Sequence, residues 1–322
     1  MEIIKEDEKS VAVIEQKTAL PEVFDRWLAN HLSKGTQAVY SGSLKEFVGF
    51  LNEKKIKFSH PSEIKPAHLI KYRDWLMGEK EHSPKTINRK LSALSSLFKE
   101  LRHEQIISLN PAESVKRPPD DIKKVRTSIK DKEVKPILDL HDEGTRQGLQ
   151  NKTILTLFAY TAQRVSTIRV LQVKSVGEVD GVLVLTLKIK GGKIRHLPLP
   201  HEPARLVRKI LAFKTSPDDY LFTPQRGTHK GQNKPISSVA IWYLIKNSLK
   251  KAGFDESRSA HSFRRMVLTR LLNGKNGGQA ISAEKIRDEV SFHSSLDTLT
   301  LYKIDGETKM TENPILGIVY SK

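Results

Sequence analysis

The sequence contains no cysteine, which excludes disulfide cross-links and thiolate zinc sites and is compatible with a reducing cytosol. No apolar run approaches the roughly 20 residues needed to cross a bilayer. The opening Met1-Glu-Ile-Ile-Lys-Glu-Asp-Glu-Lys9 also lacks the apolar stretch of a secretion signal. A soluble, cytoplasmic chain with no membrane partner is the expectation. Three motifs of common enzymes are missing: the G-x-x-x-x-G-K-[ST] phosphate loop, H-E-x-x-H and G-x-S-x-G. ATP hydrolysis, zinc proteolysis and serine esterase chemistry therefore lose support. Carboxylates that would gather magnesium in a metal nuclease do not cluster in the informative segments of the second half, which carry Arg, Lys and His instead. No cofactor is expected.

What is present is a chain of 322 residues, comfortable for two compact domains with linkers. Hydrophobic residues at 38% and charged residues at 29% describe a chain that buries cores, not a disordered tail. Lys and Arg number 55 against 37 Asp and Glu, a formal charge of +18. Such an excess is self-repulsive unless a polyanion offsets it, and nucleic acid is the commonest such partner.

Residues 1–17 alternate charged and small apolar groups without a helix cap and read as a loose or docking arm. Residues 18–115 carry helical periodicity: Tyr40, Leu44, Phe47, Val48 and Leu51 share one face, as do Ile87, Leu91, Leu94, Phe98 and Leu101. Ser83-Pro84 reads as a helix start and Asn110-Pro111 as a stop. The basic Lys85, Arg89, Lys90, Lys99 and Arg102 fall off the apolar stripe, on a solvated face or a nucleic-acid contact. Residues 116–128, with Pro118-Pro119 and a charge cluster, read as a linker to a second domain over 129–305. There the helical pattern runs to about 172. Val182 to Ile189 then reads as a strand, Gly191-Gly192 as a turn, and Ile194 to Leu199 as the returning strand. Val239, Trp242, Ile245 and Leu249 give a further helical stripe, after a Gly, Lys and Asn loop over Gly227 to Pro235. The fold class expected is mainly α with a small β-hairpin or sheet.

Two segments place candidate chemistry. Ser259-Ala-His261-Ser-Phe-Arg264 sets a His and an Arg three apart, on one side of a helix turn, where both can face one phosphate. Phe292-His293 leads through a polar stretch to Tyr302, nine residues after the His. Each taken alone is bland, since a capping His, a solvated Arg or a core Tyr is the commoner meaning. Joined to Thr161-Ala-Gln-Arg164-Val-Ser-Thr-Ile-Arg-Val-Leu171 and to the hairpin Lys190-Gly-Gly-Lys193-Ile-Arg195, they form an ordered set.

That set resembles the catalytic domain of the tyrosine recombinases, or phage integrase family, whose pattern runs Arg, hairpin Lys, His-x-x-Arg, His, Tyr. Arg164 matches the first arginine in a stretch similar to T-G-x-R-x-x-E-L-x-x-L. Lys190 is similar to the hairpin lysine, His261 and Arg264 to the His-x-x-Arg box, and His293 with Tyr302 to the closing element. Residues 18–115 resemble, more loosely, the family's core-binding domain. The sequence departs at Thr167, where Glu is usual, at Arg265, where His is frequent, and at Phe292, where Gly usually precedes the second His. A bulky Phe disfavours the positive φ that Gly accepts, which questions the local turn.

The resemblance implies a site-specific recombinase that cuts and rejoins DNA through a 3′-phosphotyrosine on Tyr302. It also implies paired half-sites, a tetramer on DNA, and residues 306–322 docking as a tail on a neighbouring protomer. Lys193 and Arg195, with Lys85, Arg89 and Lys90, are candidate DNA contacts. The chain looks Xer-like, with no further arm-binding domain expected ahead of the helical one. Rival readings are a type IB topoisomerase-like relaxing enzyme and a non-catalytic DNA-binding regulator.

Overall fold

The computed structural model describes residues 22–31, 33–119, 128–189, 192–274 and 280–292. Contacts divide the chain into two compact units at Lys124/Val125. The expected arm, residues 120–127 of the linker, Lys190 and the tail lie outside the described residues.

The first unit is helical: α1 over residues 22–29, α2 (Lys34–Glu53), α3 (Pro66–Gly78) and α4 (Pro84–His103). Ser83 starts α4 as its sequence suggests, its Oγ accepting from the Thr86 N–H at 3.3 Å with Pro84 in the first turn. All five apolar positions of the α4 stripe are buried, against Phe47, Phe50 and Leu51 of α2 and Leu69, Tyr72 and Leu76 of α3. Two expectations are corrected. Val48 is 38% exposed, because Phe50 rather than Val48 completes the buried face of α2. Nor does Asn110-Pro111 stop α4, which ends at His103 with Gln105 turning left-handed at φ +57°. Asn110 instead pins the following turn, its Nδ2 donating to Ser95 O at 3.1 Å and its Oδ1 accepting from the Ala112 N–H at 2.9 Å.

The second unit is helical with a three-stranded antiparallel sheet of order β1-β2-β3, formed by Val176–Val179, Val182–Lys188 and Ile194–Pro198. Strand β2 turns Leu183, Leu185 and Leu187 inward in alternation. Strand β1 was not expected. It pairs with β2 through Asp180 and Gly181, both at positive φ, a two-residue turn that suits the twist of a hairpin. The longer described helices of this unit are α5 (Asp131–Asp139), α6 (Arg146–Thr161), α8 (His201–Leu211), α9 (Ser238–Lys251) and α10 (Ala260–Leu272). The short α7 (Val165–Ile168) follows α6, and α11 (Ala283–Lys285) runs directly into a π-helical turn, Ile286–Ser291. Helix α6 is the hub: Leu149, Ile154, Leu155, Leu157, Phe158 and Ala159 are buried, and α5, α8 and α10 pack on it. On α9 the phase of the stripe differs from expectation. Ile241, Leu244, Ile245 and Leu249 face the core, while Val239 and Trp242 stay 62% and 49% exposed.

Candidate active site

Arg164 occupies the cap position of α7, in extended backbone at φ −81° and ψ 152°. It is placed by an abrupt end to α6, where Ala162 turns left-handed at φ +54° with its methyl fully buried. His261 is exposed in the first turn of α10, which Ser259 caps by accepting the His261 N–H at 3.3 Å. Arg164 and His261 line one cleft of about 400 Å³, walled by the start of α7 and by Trp242 and Lys246 of α9. The aromatic that escaped the α9 core is thus part of the cleft wall.

Arg264 follows His261 by one helical turn but is only 3% exposed. A guanidinium so buried is costly unless its donors are paired. Its Nη1 donates to the Ala162 carbonyl and its Nη2 to the Ser291 carbonyl at 2.8 Å. The segment that carries Arg164 and the segment that leads into His293 are therefore held by one side chain. At the second of these, Phe292 adopts φ +50°, the conformation its bulk disfavours, with its ring 7% exposed in the core and its N–H donating to Arg287 O at 2.8 Å. The turn that glycine would have made is made by phenylalanine, and ring burial offsets the backbone cost.

Lys190, His293 and Tyr302 lie outside the described residues. The hairpin that carries Lys190 closes with the Ile189 N–H on Lys193 O at 2.9 Å and with Gly192 at φ +76°. Lys193 and Arg195 are exposed on its return side. In the first unit Lys85 and Arg89 are exposed on α4. Lys90 differs: its side chain is 12% exposed and its ammonium rests on the Glu46 carboxylate, which His82 Nε2 also approaches at 3.4 Å. Burial raises the Glu46 pKa, but Lys90 and His82 outweigh it and hold the carboxyl below its ordinary value. Burial, with Glu202 adding, pushes the Tyr160 hydroxyl of α6 up to about 12. A larger cleft of about 880 Å³, lined by His141, Gln147, Arg226 and Lys251 among others, holds none of the expected site residues. Among the described residues no group of His, Asp or Glu is arranged to hold a metal.

Sequence reading missed Gln163 and Ser291. Gln163 is 3% exposed and donates from Nε2 to both Thr161 O at 2.9 Å and Val290 O at 2.6 Å. One signal was available: Ala162 stands at the glycine of T-G-x-R, which marks a left-handed position whose neighbours must be held.

The pattern that describes the Phage integrase family matches residues 127–302, more than half of the chain. The chain belongs to the phage integrase family. Residues 20–107 match the phage integrase N-terminal SAM-like domain. The tyrosine recombinase XerC of Bacillus pumilus is 28% identical over 274 residues, covering 82% of this chain and 83% of the relative. The tyrosine recombinase XerD of Pseudomonas putida is 26% identical over 282 residues, covering 86% and 88%. Two solved structures share the fold. The XerH site-specific recombinase bound to palindromic difH substrate aligns at a TM-score of 0.65 and 18% identity, over 83% of this chain and 75% of that one. A lambda integrase dimer bound to a core site aligns at 0.64 and 15%, over 91% and 98%. In the frame of this phage integrase family domain, the cleft between α7 and α10 is the candidate catalytic face.

Proposed function

We propose that this chain is a site-specific DNA recombinase of Xer-like type, which cuts and rejoins duplex DNA through a covalent 3′-phosphotyrosine on Tyr302. The observation that carries the reading is the cleft shared by Arg164 and His261, with Arg264 holding the segment that leads into Arg164 to the one that leads into His293. Similarity to XerC and XerD over more than four-fifths of each chain supports it.

In the proposed step the Tyr302 oxygen attacks phosphorus, a phosphotyrosine P–O bond forms, and the bond from phosphorus to the 5′ oxygen breaks. Negative charge grows on the non-bridging oxygens, where each preorganised donor contributes about a hundred- to thousand-fold. Arg164 suits this role, because a guanidinium keeps its charge and binds phosphate in a fork. Arg264 adds its fixed charge and His293 a further donor. A tyrosine hydroxyl with a reference pKa near 10 must lose its proton during attack, and His261 is assigned as the base. Lys190 is assigned as the acid that protonates the departing 5′ oxygen. The phosphotyrosine retains a phosphodiester-like linkage, so a 5′ hydroxyl from a second duplex reverses the attack with neither ATP nor metal.

Double-stranded DNA with paired half-sites is the partner, and a tetramer assembled on DNA is the active form. Residues 18–115 hold the duplex, residues 129–305 cut it, and residues 306–322 dock on a neighbour. Lys85, Arg89, Lys193 and Arg195 contact the phosphate backbone; the contact of Lys90 with Glu46 speaks against a DNA role for that residue. No described helix is long and apolar enough to cross a membrane, and a cytoplasmic location is part of the proposal. The test is selection of bound sequences from random DNA, followed by cleavage and strand-exchange assays on the selected site. Joining of two such sites is expected, whereas relaxation of supercoils without exchange would contradict the reading.

A further inference from the structure

Helix ends leave carbonyls without intrahelical donors, and in a buried setting each must be satisfied by something else. Helix α6 and the π-helical turn 286–291 both end inside the second unit, each on a left-handed residue, Ala162 and Phe292. Their last carbonyls are paired by two side chains in matching fashion. Gln163 spends both Nε2 hydrogens, on Thr161 O and on Val290 O. Arg264 donates to the next carbonyl of each element, Ala162 O and Ser291 O. The two ends are joined by two adjacent rungs, one neutral and one charged.

We infer that Gln163 is a positioning residue, the neutral rung that fixes the chain entering His293 relative to Arg164. The inference rests on the recombinase reading for its functional consequence, but the bridge itself does not. Arg164 is the next residue after Gln163, and His293 is three after Val290. Displacement of one end against the other shifts Arg164 relative to the chain that leads on to His293. Gln163 is 3% exposed, and its carboxamide contributes no net charge. Its removal therefore separates placement from electrostatic stabilisation, which replacing Arg264 cannot do.

Gln163→Met keeps the length and bulk of the side chain and removes both donors. Gln163→Glu keeps the shape, removes the donors and sets oxygen against two carbonyl oxygens. Two measurements on full-length protein test the inference: hydrogen exchange of the amides in residues 286–292 without DNA, and single-turnover cleavage on a suicide substrate over a range of protein concentration. For Gln163→Met the expected result is faster exchange in 286–292, half-saturating protein within about twofold of wild type, and a saturating cleavage rate reduced about tenfold, as small misplacements of reacting groups produce. Gln163→Glu should lose more of both, although it matches the wild-type shape. Unchanged exchange would overturn the bridge. Faster exchange with wild-type saturating cleavage would overturn the positioning role, as would a loss confined to the half-saturating concentration. If wild-type protein forms no adduct on its selected site, the recombinase reading falls, and the exchange result alone decides the bridge.

Discussion

The Arg264 guanidinium donates from Nη2 to the Ser291 carbonyl at 2.8 Å while Nη1 reaches the Ala162 carbonyl. A planar fork meets two fixed acceptors with separate nitrogens, whereas a lysine ammonium offers one nitrogen on a shorter stem. Arg264→Lys is therefore expected to lower both the melting temperature and the cleavage rate, the latter about a hundred-fold. Arg264→Ala leaves two carbonyls to find other donors, at about 1–3 kcal/mol each. Arg164→Ala, at a half-buried position, is expected to reduce cleavage about a hundred-fold with stability within about 0.5 kcal/mol. Thermal melts beside cleavage rates distinguish the two arginines. Equal melting losses would contradict the brace.

Ala162 and Phe292 share a left-handed backbone but differ in what their side chains bury. Glycine at 162 removes a backbone cost of about 1 kcal/mol and gives up only a methyl, so Ala162→Gly should be neutral or slightly stabilising. Phe292→Gly gains the same relief but loses a buried ring, a loss of about 3–5 kcal/mol, and should be destabilising by about 2–4 kcal/mol. Urea denaturation of the two variants checks the opposite signs.

Much of the fold was legible because periodicity reports which face meets a core. The α4 stripe from Ile87 to Leu101 is buried at every expected position. The α9 stripe was misphased because Val239 and Trp242 are apolar without being core, and Trp242 lines the cleft instead. Strand β1 has only four residues, none of them buried, so alternation could not reveal it. Arg164 and His261, singled out through the family resemblance of their motifs, line one cleft. The rungs of Gln163 and Arg264 were not legible, because a side chain bonded to a distant backbone carbonyl leaves no pattern in residue types. Lys90 could not be told from Lys85 and Arg89, since its partner Glu46 lies 44 residues away.

That pairing yields a prediction for the first unit. Lys85→Ala and Arg89→Ala, both at exposed positions, should each weaken DNA binding and reduce the salt dependence of log K by about 1. Lys90→Ala should leave the salt dependence unchanged and destabilise the fold by about 1–2 kcal/mol, less than a fully buried pair loses because both partners are partly exposed. Binding titrations at several salt concentrations separate the cases.

His141 gives a pH dependence. Its Nε2–H donates to Ser248 Oγ at 2.9 Å, because the Ser248 hydroxyl is itself donated to Leu244 O at 2.7 Å. Burial, then the charges of Lys251 and Lys152, holds its pKa below the ordinary 6.5. Between the folded and unfolded values the unfolded chain binds more protons, so stability rises with pH in that window. The His141 contribution is complete above about pH 6.5 and is lost as pH falls through the lower folded value. Melting temperatures at pH 7.5 and 5.5 should differ less for His141→Gln than for wild type. An equal or larger difference would remove His141 as the source.

The central claim is that Tyr302 becomes covalently joined to DNA, and the most direct measurement is adduct formation on a suicide substrate carrying the selected site. Wild-type protein should trap a protease-sensitive protein–DNA species, with peptide mapping placing the phosphate on Tyr302. Tyr302→Phe should bind the same DNA with unchanged affinity and trap none. An adduct at wild-type level in Tyr302→Phe would contradict the account and move the nucleophile elsewhere, with Tyr243 and Tyr320 the first residues to map.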